Sequence, residues 1–394
     1  IIVKVTLYSK VNLIFIILAP SLTLAMMNPN HQWKTLKSSH FELIHIAKHH
    51  DLAQFYAATL EQIYEEIQTF YTELPSKTIV IINDQTDVTN GFATRFPYPY
   101  IMIYPAMPSP NESLADFGNW TKELLAHEFA HLLSFEPAHG VISPFRYIFG
   151  SIIGPNLLLP RWWKEGQSVL IETALSPTGG RLRSPYQNGT LRALVKSDKL
   201  KTFTIEKANE FLDHWPEGGS PYLLGSLFWI EAYQKKGPQV VNQLVQGHGS
   251  EIPYVLLGIS ESYLDMNYES FYTLSLVQTQ KTMESQIELL KSKPITNSEL
   301  LTTDRKYSYG PRVSPSGLRL AFISVDENNS RSLEVLEKQN PSDHFTNTKS
   351  ILNKKNMDEG NPTTPLLHIH DGPPSGSLQR VEWFKDSNQI LFDK

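Results

Sequence analysis

The chain has 394 residues, enough for two to three domains at roughly 100–200 residues each. Its 35 Lys and Arg against 40 Asp and Glu leave a formal net charge of −5, which gives no support to a nucleic-acid partner, because that would call for a basic stripe or domain. Hydrophobic residues at 41% and charged ones at 19% describe a folded chain, and the absence of cysteine excludes disulfides, a thiolate nucleophile and any Cys-ligated metal.

Lys4 and Lys10 precede an apolar run, Val11–Ala25, that ends in small residues. Residues 1–25 therefore have the layout of a signal peptide, and the protein is expected to be exported, periplasmic or secreted. The rival reading is a retained anchor, the chain's one membrane contact if uncleaved. Asn12, Pro20 and Ser21 interrupt the run, however, and leave it short of the ~20 residues that span a bilayer.

Residues 40–46 alternate as a strand. Over 51–71, Leu52, Phe55, Tyr56, Leu60, Ile63, Tyr64, Ile67 and Phe70 recur with a helical period. Thr78–Ile82 is a short buried strand, Asn90-Gly91 marks a turn, and Tyr100–Tyr104 is a further strand. From about 113 to 295 the pattern turns helical, at 119–135, 162–174, 187–197, 221–235 and 238–246. After Pro294, strands within 309–337 and 379–393 flank a polar stretch, 338–378, that is expected to be a loop or insertion. The expected class is α+β: a small N-terminal sheet over a mostly helical layer across 33–295, then an all-β segment across 305–394.

Chemistry concentrates in Leu124–His131, LLAHEFAH. Residues four apart share a helix face, so His127 and His131 can place two imidazoles on one ion with Glu128 beside them. In this H-E-x-x-H arrangement two His bind zinc and the Glu is the general base. Leu124, Leu125, Leu132 and Leu133 make the helix core-facing, where such polar groups are costly without partners. A zinc hydrolase needs a third protein ligand and an open position for water. Glu165, next to Gly166, is that candidate. Glu172, seven residues on and on the same face, would accept the free N–H of a ligating His. The bland alternative makes both carboxylates solvated helix residues. His139, His214 and His248 lack such spacing and are expected on the surface or in loops.

The pair HEFAH and Trp162-x-x-Glu165-Gly166 resembles the gluzincin metallopeptidases. The resemblance implies zinc, one per chain, on His127, His131 and Glu165, and Glu172 matches a second Glu of the aminopeptidase branch. The 34 residues from His131 to Glu165 exceed that branch's spacer. That departure, with Asn90–Ala93 before a strand and Pro155–Leu158 before the tryptophan helix, looks like the exported bacterial peptidase MA-like proteins, over about 33 to 290. By the same resemblance Tyr222 would donate to the oxyanion, though it could equally be a packing aromatic. Strand 100–104, with Asn90, Gly91, Tyr100 and Met102, would pair with an extended peptide or protein substrate. Its alternative is an ordinary edge strand. The implied reaction is peptide hydrolysis with Glu128 as base.

Pro311–Phe322 resembles the turn and strand of a TolB-type β-propeller blade, and Val381–Phe392 repeats its outline at an offset of 70. Two partial units cannot close a propeller, so these strands are either a small β appendage or the start of a propeller in a chain cut short; Ile1 and the strand-like ending favour the second. Such a propeller would offer a surface to a protein partner. Three classes of function remain open at this point. They are an exported zinc metallopeptidase, an inactive scaffold that binds through its propeller, and a zinc hydrolase of another bond.

Overall fold

A computed structural model describes residues 30–86, 88–108, 118–209, 217–252, 258–294 and 305–352, the last without 329, 341 and 346. It also describes 381–386, 389–392 and positions 114, 298 and 300–302. The expected signal peptide and His214 lie outside these residues. The described residues form two compact units. One reaches Met107 and resumes from Gly118 to Ser292; the other runs from Lys293 onward with Pro108 and Leu114.

The first unit opens on a hairpin of β1 (Trp33–Lys37) and β2 (Phe41–Ile46), paired antiparallel. Helix α1 (His50–Ile67) then crosses over to β3 (Thr78–Ile82), which lies parallel to β2, as a parallel pair requires. Six apolar side chains of α1, from Ala53 to Ile67, are buried in a helical stripe, while Phe55 is 52% exposed. The strands β4 (Asn90–Thr94) and β5 (Tyr100–Tyr104) complete a five-stranded sheet of order β1-β2-β3-β5-β4.

Two expectations are corrected here. Asn90-Gly91 is not a turn but the start of β4, drawn out by five antiparallel pairings with β5 from Asn90↔Tyr104 to Thr94↔Tyr100. Strand 100–104 is not an edge either, because it pairs with β3 on one side and β4 on the other. The edge on that side belongs to β4.

The helical layer holds α2 (Trp120–Phe135), α3 (Ser143–Phe149), α4 (Arg161–Ala174), α5 (Pro185–Lys196), α6 (Ser220–Lys236), α7 (Gln239–Gly249), α8 (Ile259–Leu264) and α9 (Tyr268–Lys291). Asn119 caps α2 by accepting from the Lys122 amide at 3.1 Å. The short β1, α3 and α8, and the long α9, carry no pattern that singles them out. In α9 only Phe271, Tyr272, Ser275, Leu276 and Met283 are buried along 24 residues, too sparse a stripe to stand out.

Helices α4 and α6 approach backbone to backbone. A Cβ on Gly166 would lie 2.2 Å from the Gly225 carbonyl carbon, and one on Gly225 would lie 2.1 Å from the Trp162 oxygen. Only glycine at both positions permits this backbone contact. Around it the rings of Trp163 and Trp229 meet edge to face at 5.0 Å, and Trp229 Nε1 donates to the Trp163 carbonyl at 2.7 Å.

In the second unit β6 (Tyr307–Val313), β7 (Arg319–Val325), β8 (Arg331–Glu337) and β9 (Asn347–Leu352) form an antiparallel meander. Strand β9 falls inside the stretch expected to be a loop. Its pairing with β8 is a backbone ladder that polar composition does not announce. A second pair, β10 (Val381–Trp383) with β11 (Ile390–Phe392), packs Val381 against Ala321, Ile323, Leu333 and Val335. Among the described residues no helix is long and apolar enough to cross a membrane.

Candidate metal centre

Helix α2 is buried along almost its whole length, so its polar residues must find partners inside the protein. His127, Glu128 and His131 are 3%, 5% and 8% exposed. One turn separates the two histidines, and their rings stand nearly perpendicular, 4.8 Å between centroids. Facing them across the α2–α4 interface is Glu165. Its Oε2 lies 3.1 Å from His131 Nε2 and 3.5 Å from His127 Nε2.

These three residues offer one ligand atom each, all within 4.8 Å of one another. Bonds of about 2.0–2.2 Å in a tetrahedron place neighbouring donors ~3.3 Å apart, and the two imidazole–carboxylate separations bracket that edge. The donor set of two nitrogens and one carboxylate oxygen suits a borderline divalent cation. Among the described residues it is the group of three or more such side chains arranged to hold an ion.

Behind the cluster, His127 Nδ1 lies 2.7 Å from Glu172 Oε2, and Glu172 is 1% exposed. The other Glu172 oxygen accepts the Arg181 amide at 3.1 Å and faces Arg181 Nε at 3.2 Å. Glu172 is therefore not a solvated helix carboxylate. It fixes the His127 ring from behind, with Nε2 left to face Glu165. His131 has no such partner: its Nδ1 is buried without a hydrogen bond among the described residues.

Burial works against the charge of Glu165, yet His131 and His127 outweigh it and hold the carboxyl far below the usual range. Burial and Arg181 favour a neutral His127, but Glu165 and Glu172 prevail and raise its pKa to about 9. Glu128 goes the other way. Burial raises its pKa, against the pull of His127 and His131. Backed by β4, Glu128 has its Cγ only 3.1 Å from where a Cβ of Gly91 would sit, so the glycine lets the strand close over the helix.

Tyr222, on α6, stacks on His127 at 6.1 Å with its ring tilted by 24°. Its hydroxyl accepts from Arg161 Nη2 at 3.4 Å, and the guanidiniums of Arg181 and Arg161 lie 4.7 and 5.5 Å from its ring centre. Burial first, and then the Glu165 charge, raise the tyrosine's pKa, so it keeps its proton.

Of the residues read from sequence, His127, Glu128, His131, Glu165, Glu172, Tyr222 and Gly91 come together. Asn90, Tyr100 and Met102 do not. Strand alternation turns their side chains to the face opposite Gly91, where Tyr100 and Met102 pack with Ile81 and Tyr104. Asn90 Oδ1 accepts the Gly91 amide at 2.9 Å. His139 is exposed, as expected, but His248 is half-buried on α7 against Trp163 and Tyr268. Sequence patterns miss Arg161 and Arg181. Arg161 stands one helical turn before Glu165 and is open to the same spacing argument, whereas no local spacing ties Arg181 to the site.

No family model and no curated protein sequence matches this chain. Among solved structures it is similar to the one described as the structure of the CBM32-1, CBM32-2, and M60 catalytic domains of ZmpB from Clostridium perfringens. The TM-score is 0.34 and the identity 10%, over 88% of this chain and 40% of that one, so this chain spans well under half of that protein's length. A likeness at that distance carries no argument, and the functional reading rests on the site's own geometry.

Proposed function

We propose that the chain is a zinc-dependent metallopeptidase of the gluzincin type that hydrolyses peptide bonds. The observation that supports it is the convergence of His127, His131 and Glu165 on one point, 3.1 and 3.5 Å between the imidazoles and the carboxylate, on two buried helices. Zinc held there would supply a Lewis acid and an acidified water. Glu128 takes a proton from the attacking water and returns it to the leaving amine; its raised pKa suits a group that must carry that proton between the two steps. Tyr222, protonated and oriented by Arg161, donates to the oxyanion that forms on the substrate carbonyl. Glu172 and Arg181 keep His127 in one orientation. The β4 edge, which carries Gly91 against Glu128, is the strand available to an extended substrate, in place of β5.

The same reading assigns residues 33–295 to the peptidase domain, 1–25 to export into the periplasm or beyond, and 305–394 to strands of a TolB-type propeller that meets a protein partner.

Zinc content and cleavage test the proposal together. Purified full chain is expected to hold about one zinc and to lose it in Glu165→Ala. Glu128→Gln should keep the metal and lose peptide cleavage by about 100-fold or more. A metal-free wild type after reconstitution, or undiminished cleavage by Glu128→Gln, refutes it.

A further inference from the structure

Arg181 belongs to none of the helices that carry the site, yet its place there is built. It opens a short 3-10 turn, Arg181–Arg183, that follows the end of α4. Two glycines bring the chain round. A Cβ on Gly179 would lie 1.8 Å from Glu123 Oε1, and Gly180, at φ +88°, would put one 2.4 Å from Thr173 Cα. Side chains then fasten the turn to α2 and α4. Ser176 Oγ donates to Glu123 Oε1 at 2.7 Å and accepts the Gly179 amide at 3.1 Å. Arg183 Nη1 donates to the carbonyls of Ser176 and Gly179 at 2.7 and 3.0 Å, and to that of Thr173 in the last turn of α4.

From that fixed base Arg181 makes two kinds of contact. Toward α4, its amide and its Nε both meet Glu172 Oε1, at 3.1 and 3.2 Å, while Glu172 Oε2 lies 2.7 Å from His127 Nδ1. Toward α6, its guanidinium carbon lies 4.7 Å from the centre of the Tyr222 ring, and that ring stacks on His127. His127, Glu172, Arg181 and Tyr222 thus close a ring of contacts drawn from α2, α4, the turn and α6. A cation that served Glu172 alone would need no aromatic partner. Arg161 also lies against Tyr222, but farther, at 5.5 Å, and its side chain is 29% exposed against 13% for Arg181.

We infer that Arg181 is a positioning residue with two charges at once: it holds the Tyr222 ring against His127 while it holds Glu172 behind the same imidazole. One side chain then sets both a proposed metal ligand and the proposed oxyanion donor. The inference rests on the function proposed above and adds the residue that ties its two halves together. A planar guanidinium can give an edge to a carboxylate and a face to an aromatic ring, which an ammonium cannot.

Two double-substitution cycles on the full chain test it. Cobalt replaces zinc in the first, because its visible absorption reports ligand geometry without turnover. Arg181→Met should weaken cobalt affinity about 10-fold or more and shift that absorption, yet weaken affinity less than about twofold further in Glu172→Gln. In the second cycle, at saturating zinc, Arg181→Met should lower kcat about 10-fold or more with KM within about twofold, yet add less than about twofold in Tyr222→Phe. Arg181→Lys keeps the charge and loses the fork; it should show both effects in weaker form, and it carries the cycles if the methionine variant does not fold. A residue that only packed would act alike in every background, so effects that multiply in either cycle overturn the role of Arg181. Wild type that binds no metal or cleaves no peptide refutes the proposed function, and this role falls with it. Wild type that does both, with effects that multiply, refutes the role of Arg181 alone.

Discussion

Three histidines packed within the first unit sit in three different surroundings. His127 is backed by Glu172 and faces Glu165, and its pKa is raised to about 9. His131 faces the same Glu165 oxygen, but its other nitrogen has no hydrogen-bond partner among the described residues and its ring lies on Phe135 at 5.7 Å. Among the described residues His248 has no carboxylate against it. It sits beside Trp163 and Tyr268, with Nε2 2.6 Å from the Tyr268 hydroxyl, and burial lowers its pKa to about 4. At His127 the facing carboxylates outweigh burial, whereas at His248 burial acts without one among the described residues. The candidate metal pocket is where the carboxylates lie.

That arrangement depends on α4 standing close to α6, so the largest effect should come from separating them. Gly225→Leu inserts a side chain where even a Cβ would overlap the Trp162 oxygen. We expect a loss on the order of 3 kcal/mol or more, read from the urea midpoint, because overpacking a rigid contact forces backbone shifts. Glu165 and Glu172 both ride on α4, so both histidines should lose their partners together. Unchanged stability would mean that α4 does not rest on α6.

His248 supplies the test by pH. The unfolded chain takes up a proton near pH 6.5, the folded chain only near pH 4. Between those values the unfolded state holds the extra proton, so the stability contributed by the neutral enclosed ring is complete above about pH 6.5 and is lost as pH falls toward 4. The loss should be ~3 kcal/mol by pH 4, because each tenfold difference in proton affinity between the folded and unfolded chain is about 1.4 kcal/mol. Carboxylates titrate in the same window, so the difference between wild type and His248→Gln is the quantity to measure. Parallel stability–pH curves for the two would show that His248 does not titrate as an enclosed ring without a carboxylate.

How legible these sites were in the sequence follows from how local each feature is. His127 and His131, four apart, and Glu165 and Glu172, seven apart, are related by helix geometry alone, and the structure brings all four together. Strand order is not local. Nothing within Tyr100–Tyr104 says that β4 will fold back and cover its outer side, and Asn-Gly at 90–91 favours a turn until five pairings draw it straight. Gly166 and Gly225 are 59 positions apart, so each looks like an ordinary helical glycine until the two backbones meet. Arg181 reaches Glu172 from a short 3-10 turn, Arg181–Arg183, nine residues on. The polar β9 is visible only as a ladder on β8.

Between the two histidines that face Glu165 the comparison becomes quantitative. Glu172→Gln keeps the size of the side chain but removes the charge that orients His127, and affinity for the proposed metal should fall 10- to 100-fold in a competition titration. Tyr222→Phe should leave that affinity unchanged and lower cleavage, since its hydroxyl bonds Arg161 rather than a proposed ligand.

The smallest effect should come from Phe135→Leu. The ring of His131 lies against Phe135 at an interplanar angle of 16°, with Lys164 Nζ 6.0 Å from the far ring. Leucine keeps an apolar wall there and gives up only the stacking, a contribution of roughly 0.5–1.5 kcal/mol for an aromatic pair. Most of that is stability common to the free and the loaded protein, so metal affinity should fall less than about threefold. An affinity loss matching that of Glu172→Gln would mean that packing orients an imidazole as firmly as a buried carboxylate does. In that event the difference between the two histidines, one held by charge and one by a wall, would have no functional weight.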